Sequence, residues 1–456
     1  MIVDRLLWRL LQWWRETRHQ KPIAATINGI EGYAPMSETK DPAVFLRELY
    51  EAAVAAARPT FGPDQFFDLD PTKPALVLGA GKAAASMAQA FEAAWTGPLR
   101  GAVITRRGYG QPTKHIRVLE GDHPAPSEDN IKYTKELIEL AKTRREDEQA
   151  IFLVSGGGSA LLCQPIKGLS FDEKKQTITK LMHAGADIRE INAVRRQLSS
   201  VKGGGLATFL RPGKITTFSI SDVVGDPPLD IASGPTVTDN GSPRDALNIL
   251  LRYGVSVSDT LRALLDRASR DGDSCGKAEN GDAYIFLARP LTSLRAAAHV
   301  AERAGVNTVI FGDDIIGEAR DVGARHARLA IKYASGECDV KLPCVLLSGG
   351  ETTVTKTGNG KGGPNTEYLA SLFHHLEGHP TVFALAADTD GIDGSEDNAG
   401  ALIAPADWHR AKTIGVDAVE FLRRNDCYSL FKALDALLIT GPTYTNVNDF
   451  RAIYIE

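Results

Sequence analysis

Ala75-Leu76-Val77-Leu78-Gly79-Ala80-Gly81-Lys82-Ala83-Ala84 is an apolar run that breaks into glycines and leaves as an alanine-rich helical pattern. A short apolar stretch that enters a Gly-rich turn and then a helix reads as one strand-and-helix unit of a parallel sheet. The glycines fit G-x-G-x-x-A, in which backbone amides approach a pyrophosphate at a helix N-terminus. That fingerprint also wants an acidic residue at the end of the next strand to hold a ribose, and the corresponding residues here are Ile104-Thr105-Arg106-Arg107. Lys82 is unusual in such a loop, because an ammonium at a helix mouth suits a substrate anion or a phosphoryl group in flight better than a nicotinamide cofactor. A tight turn carrying a solvated lysine is the plainer reading of the same residues.

The same grammar repeats outward from this stretch. Upstream, Val44, Phe45, Leu49, Ala52, Ala53 and Ala56 fall at helical spacing from Asp41 to Arg58, with Asp41-Pro42 as cap and first residue and Pro59 as the stop. Downstream, the apolar runs 102–105, 151–154 and 215–220 predict further strands. A polar stretch over 271–281 marks a boundary, after which 284–287, 306–311, 345–347 and 382–386 read as strands and 293–304 and 317–333 as helices. The expectation is an α/β protein of two domains, each a mostly parallel sheet flanked by helices and the first Rossmann-like. Residues 1–40 form an extension, 41–275 the first domain and 276–456 the second. The ligand belongs in the cleft between them, outside the carboxyl ends of the strands.

Several loops at those strand ends carry candidate chemistry. Ser155-Gly156-Gly157-Gly158-Ser159-Ala160 is a dense array of amides suited to an anion, although it lacks the G-K-[ST] ending of a P-loop. Arg195 and Lys202 are seven apart, so one helix would place them on one face as a bidentate and a point-charge partner for a small carboxylate. A solvated basic face is the competing reading. Asp222 and Asp226 follow the 215–220 strand and suit Mg²⁺ or a general base, or else cap turns. Ser348-Gly349-Gly350-Glu351 again presents a charge beside strand-ending glycines, and Gly358 to Gly363 lead into Asn365 at a helix start. Asp388, Asp390 and Asp393 resemble a calcium loop only superficially, since the twelfth position is Ala399 rather than a bidentate glutamate. They remain candidates for metal or substrate, or turn-capping aspartates. The polar run Thr440 to Phe450 reads as a loop closing over a ligand, or as an ordered terminal turn.

Composition narrows the partners. With 456 residues, 43% hydrophobic and 24% charged, the chain has apolar surface for more than one core. The 52 Lys and Arg against 57 Asp and Glu give a net charge of -5, with no long basic run after residue 40, which argues against nucleic acid as a partner. Five cysteines without a C-x-x-C pair read as reduced thiols of a cytoplasmic protein. The Trp- and Arg-rich start, Leu6 to Arg18, is broken by Arg9, so it is no integral membrane segment. It reads as an appended segment before Met36, or as an amphipathic helix on a membrane surface. The sequence leaves open whether two copies pair as a homodimer.

Taken together, Gly79-Ala80-Gly81-Lys82-Ala83, Ser155 to Ala160, Asn192 to Gly204, Ser348 to Thr353, Asp388 to Gly394 and Thr445-Asn446-Val447-Asn448-Asp449 resemble the class II glycerate 2-kinase family. The C-terminal half of that family is the MOFRL domain, and the resemblance spans Asp41 to Glu456. It implies ATP- and Mg²⁺-dependent phosphorylation of D-glycerate in an interdomain cleft, with contributions matching Lys82, Glu351 and Asn446. Many members carry arginine in the Gly-Gly-x-Asn segment, whereas this chain has Gly362-Gly363-Pro364-Asn365, so either Arg195 or Lys202 compensates, the substrate is held less tightly, or the sugar acid differs. A mechanism follows as an expectation. The glycine loops position anions and Lys82 stabilises the phosphoryl group. Mg²⁺ bridges phosphates to one or two of Asp222, Asp226, Asp390 and Asp393, and one aspartate takes the hydroxyl proton. The alternatives are an NAD(P)H-dependent hydroxypyruvate reductase, a name relatives also carry, and a non-catalytic sugar-acid sensor.

Overall fold

The computed structural model describes residues 41–271 and 282–456. The N-terminal Trp- and Arg-rich segment, most of the polar stretch 271–281 and Cys275 lie outside the described residues. Six strands, β1 (Ala75–Ala80), β2 (Leu99–Arg106), β3 (Ile116–Gly121), β4 (Gln149–Ser155), β5 (Ile215–Ile220) and β6 (Ala283–Ala288), form one parallel sheet in the order β3-β2-β1-β4-β5-β6. Every residue of β1 and of β5 is buried, as expected for strands covered by helices on both faces. Phe91, Trp95 and Phe218 pack with Phe61 and Phe66 on one face, while Leu76, Leu78 and Phe152 join Leu137 and Leu161 on the other. Because the chain winds away from β1 in both directions, the sheet opens a crevice at the carboxyl ends of β1 and β4.

The second half holds β7 (Asn307–Gly312), β8 (Gly317–Glu318), β9 (Cys344–Gly350), β10 (Thr352–Thr353), β11 (Val382–Asp388), β12 (Gly400–Ile403), β13 (Leu437–Leu438) and β14 (Asp449–Ile455). β8 and β10 pair as a short parallel ribbon, and the rest form a sheet in the order β13-β12-β11-β14-β9-β7. Here the expectation of a mostly parallel sheet fails. Only β7 and β9 are parallel; β9–β14, β14–β11, β11–β12 and β12–β13 are antiparallel. The cause lies at the chain end. β9 and β11 point the same way, with the helix Pro364–Leu376 between them in sequence, and the C-terminal strand β14 fills the slot between them in the opposite sense.

The two sheets also do not divide the chain at 275/276. β6 lies beyond that point yet pairs with β5 in the first sheet. The first helix, Pro42–Ala57, serves the second sheet. Asp41 caps it by accepting from Ala43 N at 2.9 Å, as its sequence predicts. It packs along the helix Pro290–Arg303, where Ser293 Oγ donates to Ala53 O at 2.8 Å. Phe45 meets the Tyr454 ring of β14 edge-on at 5.3 Å between centroids. The boundary between the two cores therefore does not coincide with the polar, Asp-rich composition. Among the described residues no helix is long and apolar enough to cross a membrane, and Cys163, Cys338, Cys344 and Cys427 are free thiols.

Phe45 is fully buried, so Phe45→Ala is expected to lower stability to urea by about 3–5 kcal/mol. A loss below about 1 kcal/mol in equilibrium unfolding would place the first helix outside the core.

Candidate active site

The carboxyl ends of β1, β4 and β5 meet the ends of β9 and β11 and the loop leading into β14. At β1 the glycines serve packing rather than a ligand. A Cβ on Gly81 would overlap Ser155 Oγ, and one on Gly79 would press on Leu153 of β4. The amides of the turn are also consumed internally. Gly81 N donates to Ile104 O at 3.1 Å, Lys82 N to Gly156 O at 2.8 Å and Ala83 N to Ser155 Oγ at 2.9 Å. A dinucleotide pyrophosphate would need those donors.

The side chain of Lys82 crosses to the second half. Its Nζ donates to Asp390 Oδ2 at 2.6 Å, with the Asp390 side chain only 1% exposed. Burial alone would lower the lysine, but the carboxylates of Asp390 and Asp388 outweigh it and hold the ammonium above its ordinary value. Asp222, at the end of β5, stands over Gly156, where any Cβ would collide with its carboxylate. Asn446 Nδ2 donates to Asp222 Oδ2 at 2.8 Å, and Asn448 Nδ2 donates to the Asp222 carbonyl at 2.8 Å. Glu351 is exposed at the end of β9, yet the surrounding protein and the carboxylates of Asp222 and Asp449 raise its pKa against the pull of Lys82.

Lys82, Asp222, Glu351, Asp390 and Asn446 thus come together, and Asp388 joins them. Tyr50 of the first helix donates to the Asp388 carbonyl at 2.9 Å. Burial, then Asp390, pushes the Asp388 carboxyl well above the usual range, and burial likewise raises Asp222 against the pull of Lys82. Negative charge in excess of the single ammonium is an arrangement that an added cation would relieve. Among the described residues no three His, Cys, Asp or Glu groups converge as a ready metal cage. The donor set fits Mg²⁺, which takes one or two carboxylates and completes its shell with water and phosphate oxygens.

Other sequence candidates lie outside this cluster. Asp393 accepts from Asn365 N at 2.9 Å and from Thr366 N and Oγ1, each at 2.8 Å, capping the helix that starts at Pro364. Burial pushes its carboxyl up to about 6 despite those bonds, and no oxygen is left for a metal. Asn365 is fully buried and donates to Asp449 Oδ1 at 2.7 Å, inside a tie that includes the Arg451–Asp449 ion pair. Asp226 adopts a left-handed φ of 54° and faces Arg289 at 3.8 Å. Gly158 packs on Ala232.

Arg195 and Lys202 do not share a helix, since Ile188–Gln197 ends before Lys202, yet both line one cavity together with Gly157 and Ser159. Its walls come wholly from residues 123–202, so neither stands in for an arginine at Pro364. Lys361, the nearest basic residue in sequence, pairs with Glu396 at 3.1 Å. Sequence reasoning missed His123, which precedes a cis proline and lies against the Gly157 position. Burial and the charge of Lys82 lower it to about 4, so it is neutral at pH 7. It also missed Lys174, which reads as one more charge on an amphipathic helix.

Residues 43–266 match a family described only as a domain of unknown function (DUF4147), and residues 344–449 match the MOFRL family. A protein of Agrobacterium vitis provisionally named hydroxypyruvate reductase is 42% identical over 416 residues, covering 90% of this chain and 94% of that one. The D-glycerate 2-kinase of Thermotoga maritima is 36% identical over 377 residues, covering 82% and 89%. A crystal structure of glycerate kinase from Thermotoga maritima superposes with a TM-score of 0.81 at 33% identity, covering 91% of this chain and 99% of that one. Matched along most of its length in both sequence and fold, the chain belongs to the glycerate kinase family that carries a MOFRL domain.

Proposed function

We propose that this chain is a cytoplasmic glycerate 2-kinase, transferring the γ-phosphoryl group of ATP to the C2 hydroxyl of D-glycerate and releasing ADP. The observation that carries the reading is Lys82, a cation held charged by Asp390 where strand ends of both halves meet. Phosphoryl transfer asks a protein for positioning and for fixed charge opposite the transferring group. A hydride transfer from a Rossmann-bound dinucleotide would instead draw on the amides of the β1 turn, which donate within the protein.

Among Asp222, Asp226, Asp390 and Asp393, elimination favours Asp222 as the base for the hydroxyl proton. Asp390 is neutralised by Lys82, Asp393 caps a helix and Asp226 faces Arg289. Asp222 has no ion pair with Lys or Arg among the described residues, and Asn446 orients it. Glu351 would hold Mg²⁺, which when bound would supply charge neutralisation on the phosphoryl oxygens. Domain-bridging contacts such as Asn446 to Asp222 keep the base aligned and limit water in the cleft.

Purified protein is expected to release ADP from Mg-ATP only when D-glycerate is added; oxidation of NADH or NADPH with hydroxypyruvate, and no ADP, would overturn the assignment. Lys82→Met should lower kcat by about 10²–10³-fold. It should also cost about 3–5 kcal/mol by leaving Asp390 buried and unpaired. Lys82→Met with Asp390→Asn should recover much of that stability but none of the turnover; recovered turnover would make Lys82 structural.

A raised Asp222 stays protonated to a higher pH than an ordinary carboxyl, so a base at this position loses activity as pH falls through a value above about 3.9. The acid limb of kcat/KM should follow that position. Asp222→Asn should reduce kcat/KM by about 10²–10⁴-fold and remove the limb. Retention of the limb would assign the proton to another group.

A further inference from the structure

Beside the Gly156–Ser159 loop, which lines it through Gly157 and Ser159, lies a cavity of about 460 Å³. Lys174, Lys175, Arg195 and Lys202 line it, and no acidic side chain does. Lys174 and Lys202 are 6% and 3% exposed, so these are interior charges rather than a solvated face. Lys202 Nζ donates to Ser159 O at 2.7 Å, and Arg195 donates to Asn192 Oδ1 at 3.2 Å. Lys174 Nζ, on the helix Phe171–His183, is buried without any hydrogen-bond partner. Burial, with Arg195 adding to it, lowers Lys174, and burial with Lys174 lowers Lys202 well below its ordinary value. Clustered interior cations without a carboxylate are unfavourable unless a ligand of opposite sign joins them.

We infer that this cavity binds the polyphosphate chain of the nucleotide, with Lys174, Arg195 and Lys202 as its counter-charges and the terminal phosphate directed past Gly157 towards Lys82. The inference rests on the kinase reading above and names the subsite that reading needs. Size favours a nucleotide over the sugar acid. Cavities of roughly 300–1,000 Å³ suit drug-sized ligands, and a three-carbon acid would fill only a small part of this one. Position agrees as well, because a Cβ on Gly157, which lines the cavity, would sit 3.1 Å from Lys82 Cγ and 3.0 Å from His123 Nε2, so the cavity borders the stem of the Lys82 side chain. Ile178 and Met182 on the same helix give the base an apolar wall.

The test uses the full chain, with Mg-ADP and inorganic tripolyphosphate as probes of thermal stability and steady-state kinetics alongside. Lys174→Met removes the unpartnered charge at similar volume. It should raise the Tm of the ligand-free protein, abolish the Tm rise caused by either probe, and raise KM for ATP about tenfold or more. KM for D-glycerate should stay unchanged. Arg195→Gln, at a half-buried position, should raise KM for ATP in the same way and guards against a folding defect at 174. A fall in ligand-free Tm with intact probe binding would make Lys174 structural and overturn the inference. A rise confined to KM for D-glycerate would assign the cavity to the sugar acid and overturn it too. If the unmodified protein released no ADP, the kinase reading would fall, while loss of the tripolyphosphate shift in Lys174→Met would still establish a phosphate subsite.

Discussion

The contact between Lys82 and Asp390 joins the two halves of the molecule at one charge pair, and the arrangement of the cleft depends on it. Burial alone would lower Lys82, and the neighbouring carboxylates hold its charge instead. Their pairing requires β1 to end where β11 ends, which in turn requires that strand ends of two separate sheets face each other. Gly81 permits the first condition by letting β1 lie against Ser155 without a side chain between them. Asn446 and Asn448 support the second by bonding Asp222 from the opposite half.

Much of this was readable from residue order. Strand-glycine-helix units at 75–84 and 151–160 announced the parallel sheet, and Asp41-Pro42 announced the start of the first helix. The family resemblance, rather than any local pattern, implied that Lys82, Glu351 and Asn446 contribute to one cleft. What could not be read was pairing across long sequence distances. Phe450-Arg451-Ala452-Ile453-Tyr454-Ile455 hid its strand because Arg451 interrupts the apolar pattern, and nothing local says that Asp449, Gly349 and Thr352 enclose that guanidinium. Asp393 and Asn365 looked as available as Asp390, and only the folded backbone reveals that one caps a helix and the other ties Asp449.

The first half illustrates a conflict between stability and recognition. Lys174 occupies a position on an amphipathic helix that a methionine or leucine would fill with less penalty, and its interior charge has no internal compensation. Binding sites are where such local inconsistencies concentrate, since a group satisfied in the empty protein has little left to offer a ligand. Pro364 is the reverse case. It suits the first position of its helix, where the missing N–H costs nothing, and it brings no charge.

Insertion of β14 between β9 and β11 has a consequence for biosynthesis. A nascent chain emerging from the ribosome can complete the first sheet as soon as β6 is extruded, but its second sheet keeps an open slot until β14 follows. During that interval β9 and β11 both present unpaired edges, the kind of surface to which foreign strands add and which chaperones shield. The segment leading into β14 carries Asn446 and Asn448, so closure of the sheet and the bonding of Asp222 from the second half become a single event.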